Sequence, residues 1–234
     1  MKKLIPIILG FTIALIVSSC SFKDAIQFHK RLTNTKVESV DFRSNDKSVH
    51  FINMIHLGQQ SFYDNVSKEI ENYKKDGYVL FYEWIDYETA DTLTLRKTKK
   101  VVGMIPSKQG YQNMIEKIKV DGVVFQDNEQ FMNHANSLDF NVDITPQELI
   151  HEYEKRHGEI VLSSEDLNAP LYEEITFNDN KNVMDIILNH RNKIVAERIQ
   201  TSKYDKIIVI YGADHQKGIL EELQKIDTSW KKEK

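Results

Sequence analysis

The chain has 234 residues, with 31 Lys and Arg against 35 Asp and Glu, a formal net charge of −4, and 41% hydrophobic residues. This mild acidity, with no cluster of Lys and Arg, excludes a nucleic-acid partner gripped by a basic face. The single cysteine, Cys20, excludes an intramolecular disulfide, so a core must hold by apolar burial alone.

Lys2 and Lys3 precede an apolar run from Leu4 to Val17, and Ser18-Ser19-Cys20 follows. A positive start, an apolar stretch and small residues before a cut are the parts of a secretory signal. The run is short for a spanning helix, which needs about 20 apolar residues. Val17-Ser18-Ser19-Cys20 resembles a bacterial lipobox. That resemblance implies a signal peptide over 1–19 and a Cys20 that carries lipid, palmitate included, as first residue of the exported chain. The protein would then sit in the cell envelope, outside the cytoplasm, held to a membrane. The plain alternative is an amino-terminal anchor with an incidental cysteine. Without Lys2 and Lys3 the formal net charge becomes −6.

Residues 20–46 read as the lipidated cysteine and a polar tether leading into a first edge strand. Ser48 to Ile55 is dense in strand formers, and Leu57-Gly58 breaks it. Phe62, Val66, Ile70 and Tyr73 recur at spacings of three and four, so 61–75 is a helix. Asp76-Gly77 closes it. Tyr78 to Ile85 is a near-continuous apolar run, the pattern of a strand buried on both faces in a parallel sheet. The middle is helical at 89–102, 108–119, 128–137 and 146–157, with a short strand from Gly122 to Phe125. Thr145-Pro146-Gln147-Glu148 is a capping box with proline at the first helical position, and Gly158 stops that helix. A loop over 159–180, a helix over 182–200, a buried strand from Lys206 to Tyr211 and a final amphipathic helix with Leu220 and Leu223 follow. The expected fold is α/β: a central, mostly parallel sheet with flanking helices and a helical middle insertion, over 47–228, then a charged tail at 229–234.

Several chemistries are absent. No Gly-x-Ser-x-Gly elbow, phosphate-binding glycine loop or dinucleotide fingerprint occurs. His151 and His157, six apart, point roughly 240° from one another on a helix and cannot share an ion. His56, Glu83 and His215 remain, each at or near the carboxyl end of an expected strand. Ligands of open α/β sheets sit outside those ends. Two imidazoles and a carboxylate are a common ligand set for a catalytic divalent ion, which would activate water for hydrolysis. The plain alternatives are hydrogen-bonded structural histidines, and for Glu83 a salt bridge to a buried arginine such as Arg191, since a lone buried carboxylate is costly. Tyr82 and Trp84, beside Glu83, read first as core.

Met54-Ile55-His56-Leu57-Gly58, then a helix and Val79-Leu80-Phe81-Tyr82-Glu83, resembles the opening of the TraB/GumN family. His190 to Ile199 resembles that family's Arg-Asn helix, and Gly212-Ala213-Asp214-His215 its closing Gly-x-x-His segment. The similarity covers 48–88 and 182–226; it departs at Asn53, where the family usually has glycine. The wider group includes the Tiki metalloproteases, the haem-binding ChaN proteins and the erythromycin esterases. The resemblance implies His56, Glu83 and His215 as metal ligands or acid/base groups and Arg191 as an anion or oxyanion partner. The implied activity is a metal-dependent, peptidase-like hydrolase using Mn, Co or Zn. The alternative is a non-catalytic lipoprotein holding a peptide or small molecule, or haem on His56 or His215.

Overall fold

The computed structural model describes residues 29–115, 120–172 and 181–233. The expected signal peptide, Cys20 and residues 173–180 of the expected loop lie outside them. Among the described residues no helix is long and apolar enough to cross a membrane.

Six strands form one mixed sheet, ordered β6-β4-β7-β2-β1-β8. They are β1 (Ser39–Arg43), β2 (Ser48–Met54), β4 (Val79–Tyr82), β6 (Phe140–Asn141), β7 (Lys206–Gly212) and β8 (Lys231–Lys232). β6, β4, β7 and β2 run parallel, while β1 is antiparallel to both of its neighbours. A separate two-stranded ribbon joins β3 (Leu57–Gln59) to β5 (Val123–Phe125).

Side chains alternate across the pleat, so each strand feeds two cores. Ile52, Met54, Leu80, Ile208 and Ile210 pack against Phe62, Tyr63, Val66 and Ile70 of α1 (Gln60–Lys75) and Phe131 of α4 (Asn128–Met132). Phe51, Phe81, Val209 and Tyr211 pack on the other face, against α8 (Arg191–Thr201) and α9 (Gln216–Ile226). This sandwich explains why the apolar run of β7 has no polar alternation: Ile207 to Tyr211 are all buried. The expected α/β class is therefore present, with a helical middle of α2 (Thr92–Val102), α3 (Lys108–Ile115), α4, α5 (Pro146–His157) and α6 (Ser164–Asn168). Its own core joins Val101, Leu149, Ile150 and Tyr153 to Val183 and Ile186. The capping box at Thr145 forms as read, with the Glu148 carboxylate accepting from the Thr145 N–H at 2.7 Å.

Several boundaries differ. β4 stops at Tyr82 rather than Ile85; the Glu83 N–H still donates to the Ile210 carbonyl, and the chain then leaves the sheet. The helix expected over 128–137 ends at Met132, where Asn133 to Ala135 turn on local hydrogen bonds. The expected loop at 159–180 contains α6, nucleated by a capping box at Ser163. The expected tail at 229–234 docks instead: Trp230 is fully buried and its indole N–H donates to Gln200 Oε1 at 2.7 Å, while Lys231 and Lys232 pair with β1. Burying a large aromatic side chain contributes about 1.5–3 kcal/mol, which outweighs the pull of the flanking charges toward water.

The helix expected over 182–200 is continuous in path but changes pitch. α7 (Lys181–Met184) passes into a π turn, Asp185–His190, before α8 begins at Arg191. π turns widen the helix locally and frequently mark functional sites.

Candidate functional site

The parallel strands β2, β4 and β7 end side by side, and the chain segments that leave them carry the expected residues. Glu83 follows β4 and His215 ends the short 3-10 turn Ala213–His215 after β7. Glu83 continues the alternation of Phe81, so its carboxylate points to the α8 side of the sheet. There it meets Arg191: Nη2 donates to Glu83 Oε1 at 2.5 Å. The Gly212 N–H donates to Glu83 Oε2 at 2.6 Å. A side chain at 212 could not be accommodated freely, because a Cβ would lie 3.4 Å from that oxygen and 3.3 Å from the His215 ring.

Arg191 is shared with a second acid. Its Nε and Nη2 donate to Asp143 Oδ1 and Oδ2 at 2.9 and 2.6 Å, a two-pronged pairing that the planar guanidinium suits. Nη1 lies 3.4 Å from the Ile187 carbonyl, within the π turn, and 3.5 Å from His215 Nε2. Arg198 donates to the Asp143 carbonyl, fixing the loop that carries the acid. The guanidinium also stands over the Tyr211 ring, 5.1 Å from its centroid. Arg191 and His215 are 5% and 4% exposed. Two carboxylates face one guanidinium, leaving one excess negative charge in the buried cluster.

His56 differs from these. It follows β2, its carbonyl accepts from the Gln126 N–H at 2.9 Å, and its ring packs 5.1 Å from that of Tyr111. The residue is exposed, with Glu83, Arg191 and Asp214 near enough to act on its charge. Burial lowers its pKa from the ordinary histidine value; Glu83 opposes this and Arg191 adds to it. The mutual influence of His56, Glu83, Arg191 and His215 places all four expected residues in one electrostatic neighbourhood.

Burial and then the Arg191 cation hold the His215 pKa down to about 3. For Glu83, burial favours the neutral acid, but Arg191, His56 and the Gly212 N–H outweigh it and keep the carboxyl below its usual value. Arg191 shows the mirror image: burial disfavours its charge, and Asp143, Tyr211 and Glu83 restore it. Burial raises the Tyr87, Tyr111 and Tyr211 hydroxyls, each of which also feels Glu83 and Arg191.

No family model, no curated protein and no solved structure matches the chain.

As arranged, the expected ligands do not fit a shared metal ion. Both Glu83 oxygens accept hydrogen bonds, His215 Nδ1 is paired with Asn192, and its Nε2 faces a guanidinium cation. Among the described residues no three His, Cys, Asp or Glu side chains are placed to hold one ion. The salt-bridge alternative for Glu83 is the one observed. Arg191, expected as an oxyanion partner, is committed to two carboxylates. Among the described residues no side-chain hydrogen bond engages the His56 imidazole, so of the two expected haem ligands only His56 presents a ring free of such bonds.

Asp143 and Asn192 were not among the expected residues. For Asp143 a signal existed: one acid between Val142 and Ile144, the pattern that marks Glu83 within its apolar run. Asn192 had only its place beside Arg191. Nothing in the spacing of Tyr87 or Tyr111 foretold their approach.

Proposed function

We propose that this is a membrane-anchored, extracytoplasmic hydrolase with peptidase-like chemistry, in which His56 meets the substrate and the Glu83–Arg191–Asp143–His215 cluster shapes its field. What carries the reading is the convergence of four residues from distant parts of the chain at the carboxyl ends of three parallel strands, with His56 alone exposed among them. A neutral imidazole is a competent general base near neutral pH. It takes the proton of a water whose oxygen attacks the substrate carbonyl carbon, and it returns that proton to the amine as the carbon–nitrogen bond breaks. The TraB/GumN resemblance agrees with hydrolysis, and the lipobox resemblance at Val17 to Cys20 agrees with anchoring.

A metal-assisted version requires Arg191 to give up Glu83. It is distinguished by measuring cleavage of a fluorogenic peptide mixture by the full chain in detergent, with chelator and then with added Mn, Co or Zn. Acid–base hydrolysis through His56 predicts cleavage that survives the chelator; cleavage restored only by an ion supports the metal version. A Soret band on haem titration, with no cleavage in either condition, supports the ligand-binding alternative. Cys20→Ser should abolish incorporation of labelled palmitate and release the chain from membranes; retained label contradicts the anchor.

A further inference from the structure

His215 is a histidine with little freedom. It is 4% exposed, its Nδ1 lies 2.7 Å from Asn192 Oδ1, and its Nε2 lies 3.5 Å from Arg191 Nη1. A guanidinium has donors and no acceptor, so the nitrogen that faces it keeps a lone pair. A neutral ring with the lone pair on Nε2 carries its proton on Nδ1. That proton needs an acceptor, which only the carbonyl oxygen of the Asn192 amide supplies here. The orientation of the amide thus follows from Arg191 rather than from an arbitrary choice between oxygen and nitrogen.

The amide needs room to adopt this orientation, and Gly218 provides it. A Cβ at 218 would stand 2.0 Å from Asn192 Nδ2 and 2.9 Å from its carbonyl carbon. Gly218 sits in the first turn of α9, directly across from the first turn of α8. A glycine that costs helix stability relative to alanine is explained by this close approach. Arg191 and Asn192 are adjacent and both buried, because α8 starts wedged between the strand ends and α9. One reaches Asp143 and Glu83, the other His215.

We propose that Asn192 is a positioning residue that holds His215 as the Nδ1–H tautomer, with Gly218 as the space it requires, so that the two site histidines have unequal roles. His215 is a fixed acceptor that orients Arg191, and through it Glu83. His56 is left as the histidine that exchanges protons with substrate. This division rests on the hydrolase reading for its purpose, but the tautomer does not depend on any activity being found.

The test is nitrogen-15 NMR of the full chain in detergent, labelled at histidine, with the His215 signals identified by their loss in His215→Gln. In the unaltered chain at pH 7 the two-bond proton–nitrogen pattern should be that of the Nδ1–H tautomer. Asn192→Ala should shift His215 toward the Nε2–H form. Asn192→Asp, which keeps an oxygen acceptor, should restore the original pattern. Gly218→Ala should produce the same shift as Asn192→Ala with the asparagine intact. An Nε2–H pattern in the unaltered chain overturns the proposal, as does a pattern that Asn192→Ala and Gly218→Ala leave unmoved. Should Asn192→Ala fail to fold, the unaltered chain and Asn192→Asp still decide it. If no peptide is cleaved while the tautomer is as stated, the hydrolase reading fails and the positioning role stands.

Discussion

Two buried histidines in this fold are held in opposite ways. His50, within β2, has Asp41 Oδ1 2.7 Å from Nδ1 and Glu69 Oε1 2.7 Å from Nε2, and its ring stacks on Tyr73 at 3.7 Å. Both nitrogens are spent on acids, and the ring ties β1, β2 and α1 together. His215, past the end of β7, has an amide on one side and a cation on the other. The first ring stands between two carboxylates, whereas the second has a guanidinium set against one of its nitrogens. Position on the sheet accounts for the difference: mid-strand, a side chain is closed in by its neighbours, whereas at the strand ends the ladder stops and groups from helices and loops can be turned toward one point.

The comparison can be broken most severely at the centre of the second region. Arg191→Met leaves Glu83 and Asp143 buried without their cation, and breaking a buried pair from one side costs about 3–5 kcal/mol. Urea unfolding checks this; a loss under about 1 kcal/mol would mean that the two carboxylates rehydrate freely once the guanidinium is gone. The first region should yield less. His50→Gln removes one of two charge-assisted contacts, and such bonds contribute about 1.5–3 kcal/mol each. Asp41 and Glu69, at 46% and 23% side-chain exposure, then recover water and return part of that. Hydrolysis should be unchanged; lost cleavage at equal folding would place His50 in the site.

Acid acts on the second region. A histidine whose folded pKa is held down is neutral in the fold while the unfolded chain is already protonated. His215 therefore lowers stability as pH falls from about 6.5 toward about 3, with a slope of at most about 1.4 kcal/mol per pH unit for one proton. His56 adds to the same slope. Glu83, held below its usual value, contributes stability that is lost at lower pH, so unfolding measured between pH 6.5 and 5 isolates the histidines. His215→Gln should flatten the profile there; an unchanged slope contradicts the environment assigned to His215.

Much of the fold was legible because apolar runs and caps are local signals. The buried strands β4 and β7, the capping box of α5 and the α1 stripe all declare themselves within a few residues. What escaped depends on contacts far along the chain. Trp230 looked like part of a charged tail, and only Gln200 and the α8–α9 face give it a place. The π turn before Arg191 has no sequence signature of its own. In the site, strand-end position revealed His56, Glu83 and His215, and a lone acid in an apolar run rightly asked for an arginine. The partners that set their chemistry, Asp143 and Asn192, come from a loop and a helix whose approach no spacing encodes.

The most direct measurement is the rate at which the full chain and its His56→Gln variant cleave the same peptide mixture, each checked for equal unfolding free energy. The exposed position of His56 predicts a stability change within about 0.5 kcal/mol, while removing a general base predicts a rate loss of about 10²- to 10⁴-fold. Equal rates, or no cleavage by either protein, would contradict His56 as the group that meets the substrate.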